Sequence, residues 1–315
     1  MPAASRTRTP VPSGPVRRFP PRGGTERLVF AAAVVVALAV LIWAVTRSGD
    51  DSSTAVLQSD DPGIAHVHGL GVNPADGSVH VATHYGTFRL AGGKADRVGD
   101  SFQDTMGFTV AGPDLFLGSG HPDSEGFRRG EPPLLGLIES TDAGVTWQSL
   151  SLRGEVDFHG LAAAHGVVYG WDSTSSRFMV SSGRRTWETR STRPLIAFAV
   201  DPADANHIVA TAPDGVLDSS DGGRSWRKLS APPLVTLSWD PAGGLVGAAG
   251  DGAVYRSADA GASWESAGRL PGSPQALLVT ADALYAAAHD PDGTTGIYHS
   301  ADGGRTWQIF YQDPA

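Results

Sequence analysis

Four stretches of eight residues, STDAGVTW (140–147), SSDGGRSW (219–226), SADAGASW (257–264) and SADGGRTW (300–307), are copies of one pattern, Ser-x-Asp-x-Gly-x-Thr/Ser-Trp. A fifth, VSSGRRTW (180–187), keeps Thr186 and Trp187 but has Ser182 and Arg184 where Asp and Gly belong. The tryptophans at 147, 187, 226, 264 and 307 are spaced 40, 39, 38 and 43 residues apart. A period near forty with several short strands in each unit is that of a β-propeller blade.

Each repeat divides into four strands. In the last they read PQALLV, ALYAAAH, GIYHS and TWQIFY, which makes the octet the turn between strands three and four. Counting back, blades begin near residues 64, 104, 157, 194, 234 and 274. The first has no octet but keeps the strand rhythm in HVHGLGV, SVHVATH, GTFRLA and ADRVGD. The expected fold is therefore all-β, a six-bladed propeller over 64–315, with seven blades as the alternative count.

The octet explains itself chemically. An Asp carboxylate accepts backbone N–H bonds within its own tight turn, Gly supplies a positive φ, and Trp anchors the hairpin by burying its ring. It resembles the Asp-box, or BNR repeat, of sialidases, sortilin and a photosystem II assembly factor. Asp142, Trp147, Trp187, Asp221, Trp226, Asp259, Trp264, Asp302 and Trp307 are accordingly structural. An Asp-box says nothing about sialidase chemistry by itself.

Antiparallel strands place these turns on one face and the start of strand one, with the turn between strands two and three, on the other. That second face collects His66 and His68 (HVHGLG), His84 and Tyr85 (ATHYG), Asp104, Thr105 and Met106 (DTMGF), His121 and Asp123 (GSGHPD), and Asp157, Phe158 and His159 (DFHGL). It also receives Trp171, Asp172, Asp214, Asp251, His289 and Asp290. Six of the ten histidines fall there, five of them from the first three blades, a bias that scattered turn residues would not produce. The insertion SGHPDSEGFRRGEPPLLG (119–136) brings Glu125, Arg128, Arg129 and Glu131 to the same rim. His80, His165, His207 and His299 read as structural.

Imidazoles from several strands with a nearby carboxylate make a set for zinc or copper. His66, His68, His121 and His159 are the expected ligands, with His84 and Met106 as further candidates; the thioether would favour copper. The second reading is a glycosidase working through Asp104, Asp123, Glu125, Asp157 or Asp172. Sialidases resemble one another in an early Arg-Ile-Pro and three substrate-gripping arginines. Here Arg-Ile-Pro is absent, the first blade has only Arg89 and Arg97, and no Tyr–Glu nucleophile pair can be assigned. A third reading is a non-catalytic assembly platform for a protein or glycan partner. The set HVHGLG, ATHYG, DTMGF, GSGHPD and DFHGL resembles a bacterial group of Asp-box proteins labelled glycosyl-hydrolase-like. That resemblance covers residues 64–310 and implies the fold.

The N-terminal part has a different character. Residues 1–27 are rich in Pro and Arg without hydrophobic period, as in a disordered tail. Leu28–Val45 runs 18 residues without a charge, long for a signal-peptide core and enough for a membrane span. Arg6, Arg8, Arg17, Arg18, Arg22 and Arg27 precede it, so the tail is expected to stay cytoplasmic and the propeller to lie outside a single-pass anchor. Residues 46–63 read as a flexible linker. The first 63 residues hold seven basic and five acidic groups, leaving 17 and 28 beyond them, a net of −11 that offers no nucleic-acid footprint. With no cysteine, stability must come from a large buried core.

Overall fold

A computed structural model describes residues 63–312. The tail (1–27), the anchor (28–45) and, but for residue 63, the linker (46–63) lie outside the described residues. Among those described, no helix is long and apolar enough to cross a membrane.

Twenty-four strands form six four-stranded antiparallel sheets, each built from four consecutive strands. The first blade holds β1 (Val67–Val72), β2 (Val79–Thr83), β3 (Gly86–Ala91) and β4 (Lys94–Arg97). The second holds β5 (Asp104–Gly112), β6 (Leu115–His121), β7 (Leu137–Ser140) and β8 (Gln148–Ser151), with the one-turn helix α1 (Ser124–Arg128) between β6 and β7. The third holds β9 (Phe158–Ala164), β10 (Val167–Asp172), β11 (Arg177–Ser181) and β12 (Glu188–Ser191). The fourth holds β13 (Ala197–Val200), β14 (Ile208–Ala212), β15 (Gly215–Ser219) and β16 (Arg227–Lys228). The fifth holds β17 (Leu234–Trp239), β18 (Leu245–Ala249), β19 (Ala253–Ser257) and β20 (Glu265–Arg269). The sixth holds β21 (Ser273–Val279), β22 (Leu284–His289), β23 (Thr295–Ser300) and β24 (Gln308–Gln312). Each inner strand packs on the next, and β21 meets β1 to close the ring. The count is six, and the fourth strands begin just after their tryptophans rather than on them.

The core lies between blades. β2 (VHVAT) is buried along its whole length, as a strand covered on both faces must be. The inner strands of the first three blades approach their neighbours through glycine. A Cβ on Gly69 would stand 2.9 Å from Phe108 Cβ, on Gly107 2.3 Å from the Phe158 carbonyl oxygen, and on Gly160 2.9 Å from the Phe198 ring. Each of these glycines follows a face residue: His68, Met106 and His159. Close packing at this level therefore gathers those three side chains around one channel mouth.

The octets make the turns their chemistry dictates. Asp142 Oδ1 accepts from the Thr146 N–H at 2.9 Å and Oδ2 from its hydroxyl at 2.6 Å. Ser140 Oγ donates to Asp142 at 2.7 Å and accepts the buried Gly144 N–H at 2.8 Å. Gly144, Gly223, Gly261 and Gly304 all sit near φ +90°, where a Cβ is disfavoured. The third blade departs from this. Ser181 ends its strand six residues before Trp187, against seven for Ser140 and Trp147, so the turn is one residue shorter rather than an octet with two substitutions. Its Oγ is buried with no partner. Arg184 takes the positive φ, and its guanidinium pairs with Glu139 at 2.6 Å. Ser219→Ala strands the buried Gly223 N–H, bonded at 2.8 Å, and is expected to cost about 1–3 kcal/mol in denaturant titration. Ser181→Ala strands nothing and should stay within about 0.5 kcal/mol.

His80 belongs to the fold. It is 1% exposed, faces Ser78 Oγ at 3.0 Å through Nε2, and meets Phe116 edge-on. Burial lowers its pKa from 6.5 to about 4. Below pH 6.5 the unfolded chain takes up a proton that the folded ring refuses until about pH 4. Stability from this group is thus full above pH 6.5 and falls by about 3 kcal/mol by pH 4. His80→Leu is expected to make the drop in melting temperature across that window shallower; an unchanged drop would place the acid sensitivity elsewhere. The octet aspartates, with Asp221 held at about 2 by bonds from Ser225, weaken the fold only at lower pH.

Candidate metal centre

β1 begins at the channel mouth and carries His66, just before it, and His68 on one face. The turn leaving β2 supplies His84, and β5 opens with Asp104. The ligand atoms of His66, His68 and His84 all lie within 4.8 Å of one another. His68 Nε2 is 3.2 Å from His84 Nδ1, and Asp104 Oδ1 is 3.4 Å from the first and 3.0 Å from the second. These three atoms form a nearly equilateral triangle. A tetrahedral zinc with ligands at about 2.0–2.1 Å holds its donors about 3.3 Å apart, so the triangle has the dimensions of one face of such a site.

The electrostatics suit a cation. Burial, then the neighbouring imidazoles, lowers His66 to about 4. Burial likewise lowers His68, against the hydrogen bond to Asp104. Burial would raise Asp104, but hydrogen bonds from His68 and His84 outweigh it and hold the carboxyl at about 2. His66 and His68 are therefore neutral beside an anion at neutral pH, with no imidazolium charge to repel a metal ion.

His66 is the outer member. Gln275 Oε1 accepts the Val67 N–H at 3.0 Å, which turns the amide nitrogen of Gln275 toward His66 Nδ1, also at 3.0 Å. That donation leaves the His66 proton on Nε2. Gln275 escaped the sequence reading although it stands at the start of strand one of the sixth blade. A neutral amide gives no signal among histidines and carboxylates.

His121 and His159 do not join the triad. Both meet Asp157 Oδ2, His159 Nε2 at 2.7 Å and His121 Nε2 at 3.5 Å. Ser173 Oγ donates to the same oxygen at 3.1 Å. His121 Nδ1 is also bonded, to the Pro133 carbonyl at 2.8 Å, tying down the insertion. The Asp157 carboxylate raises His121 to about 9. Burial opposes ionisation of Asp157, yet the bonds from His121 and His159 hold it well below the usual carboxylate range. The two clusters adjoin, because Asp104 and His121 are cross-strand partners on β5 and β6. Met106 and His159 line, with His66 and His68, a cavity of about 570 Å³ along the inner strands.

The remaining candidates have other employment. Asp123 is the N-cap of α1, accepting the Gly126 N–H at 2.7 Å. Glu125 pairs with Arg129 at 2.7 Å on the exposed rim. Asp172 is fully buried and held by Arg177 at 3.0 Å. Asp290 bonds the Tyr298 hydroxyl at 2.6 Å, while Asp214 and Asp251 pair with Arg193 and Arg269. A glycosidase needs one carboxyl kept protonated as acid. Asp104 and Asp157 are instead both held ionised.

No protein-family model and no curated relative matches the chain. Solved structures are similar in fold. A chain of the nidogen/laminin complex shares 14% identity at a TM-score of 0.57, over 74% of this chain and 93% of its own. A gluconolactonase from Xanthomonas campestris shares 15% at 0.56, over 71% and 83%. An ancestral GH74 enzyme shares 15% at 0.51, over 80% of this chain and 39% of its own. Identities this low carry the propeller fold alone.

Proposed function

We propose that this propeller is a metal-binding module of the Asp-box kind, taking zinc or copper at the channel mouth through His68, His84 and Asp104, with His66 completing the set once Gln275 releases its Nδ1. The observation that carries the reading is the triangle of donor atoms with edges of 3.0, 3.2 and 3.4 Å. Three imidazoles with a carboxylate suit zinc or copper(II), and Met106 on the adjoining wall would add a soft donor for copper(I). The apolar run at 28–45 would hold the module outside a membrane, where such ions are met directly.

The test is elemental analysis of the untagged protein after exposure to zinc, copper(I) and copper(II), beside His66→Ala/His68→Ala. Near-stoichiometric metal in the parent and little in the variant is the expected result. Absence of metal from both would return these histidines to a polar pocket.

A further inference from the structure

We propose that His159 is the proton acceptor for a water bound to the metal at His68, His84 and Asp104, which makes the mouth a hydrolytic centre for a small uncharged ester or lactone. This rests on the metal reading above.

The orientation of His159 is the first support. Its Nε2 lies 2.7 Å from Asp157 Oδ2, so the ring proton sits on Nε2 and a lone pair is left on Nδ1. Among the described residues Nδ1 has no hydrogen-bond partner, and the ring lines the same cavity as His66 and His68. Asp157 cannot itself serve as the base. It is 4% exposed, and its Oδ2 is occupied by His159, His121 and Ser173. The carboxylate therefore orients the imidazole and stabilises the cation formed when Nδ1 takes a proton. His159 is not one of the histidines whose ligand atoms cluster within 4.8 Å, and it reaches the wall of the cavity that His66 and His68 line from the third blade.

The cavity sets the substrate class. About 570 Å³ admits a small molecule, and beyond the histidines its wall includes Phe108, Leu161 and Phe198. The excess of acidic groups over residues 64–315 disfavours anions. In the reaction the bound water gives a proton to His159 Nδ1 while its oxygen adds to the acyl carbon. Collapse of the adduct breaks the acyl C–O bond, and the departing alkoxide takes the proton from His159. One ester and one water give one acid and one alcohol.

The experiment compares the full chain with His159→Gln, each loaded with zinc, assayed for zinc content and for hydrolysis of 4-nitrophenyl acetate with and without the metal. Glutamine keeps a bond to Asp157 but accepts no proton usefully. The expected result is zinc-dependent turnover in the parent, with the variant keeping its zinc and KM while kcat falls about 100-fold or more. Zinc-loaded parent no faster than free zinc, or a variant with kcat intact, overturns the hydrolytic proposal and leaves metal binding standing. A parent that takes up no zinc overturns the hydrolytic proposal, and one that takes up neither zinc nor copper overturns both.

Discussion

Asp104→Asn and His84→Ala are each expected to lower zinc affinity about 100-fold or more, while His121→Ala leaves it within about threefold. Partners that only orient a ligand cost 10–100-fold in metal affinity, so a donor atom itself should cost at least the upper end. Asp104 supplies the one negative charge of the triangle, and asparagine keeps its shape while removing that charge. His84 Nδ1 is 3.0 Å from Asp104 and 3.2 Å from His68, so its loss opens two edges of the triangle at once. His121 lies across β5 and β6 from Asp104, but its ring nitrogens go to Asp157 and Pro133. Competition titration against a chromophoric chelator measures all three. Equal losses for His121→Ala and His84→Ala would mean that both clusters hold the metal together.

Phe158→Ala is expected to cost about 3–5 kcal/mol, a fall of roughly 6–20 °C in melting temperature. The side chain is fully buried, and its ring centre lies 4.8 Å from that of Trp187. Gly170 leaves it space: a Cβ there would stand 2.5 Å from the Phe158 ring. Its neighbours Leu117, Leu137, Val156, Val168 and Met179 are buried in the same cluster, so the transfer and cavity costs add to the extent that they hold their places. The Phe158 N–H is bonded to Ser119 Oγ at 3.0 Å, which ties the third blade to the second just where Asp157 and His159 flank it. Thermal unfolding followed by tryptophan fluorescence checks the magnitude. A loss under about 1 kcal/mol would mean that the blades close over the gap.

The six blades were legible because a propeller repeats its own punctuation. Five tryptophans at nearly constant spacing and turn residues with one conformational meaning leave little freedom. Even the first blade, without an octet, turns β3 into β4 through Gly92 and Gly93, both at positive φ, as a two-residue hairpin requires. The shortened turn of the third blade was hidden because Thr186 and Trp187 survive at its end, so a fixed-length comparison put Ser182 in the place of the aspartate. The working face was legible too, since strand direction assigns every turn to one side. Its partition was not. His121 stands opposite Asp104 in the ladder, yet its side chain serves Asp157, a choice made by the loop carbonyl of Pro133 and by the next blade. Alternation along a strand names a face; the neighbouring blades decide which side chains meet on it.

Among the described residues every sheet is completed by four consecutive strands, so none of its strands is borrowed from the other end of that stretch. Along the seam between the sixth and first blades, β21 packs on β1, the Val67 N–H donates to Gln275 Oε1, and the Thr295 hydroxyl donates to the Ala65 carbonyl. His68 of the donor triangle stands on β1 at that seam, and His66 beside it is bonded to Gln275 of the sixth blade. An ion seated there would join the first blade to the second beside that closure, raising stability in proportion to the logarithm of its free concentration. If the proposed site is filled, scarcity of the ion would then be felt first as a looser joint between those two blades and faster proteolytic turnover, so the amount of folded protein would follow the supply of that metal.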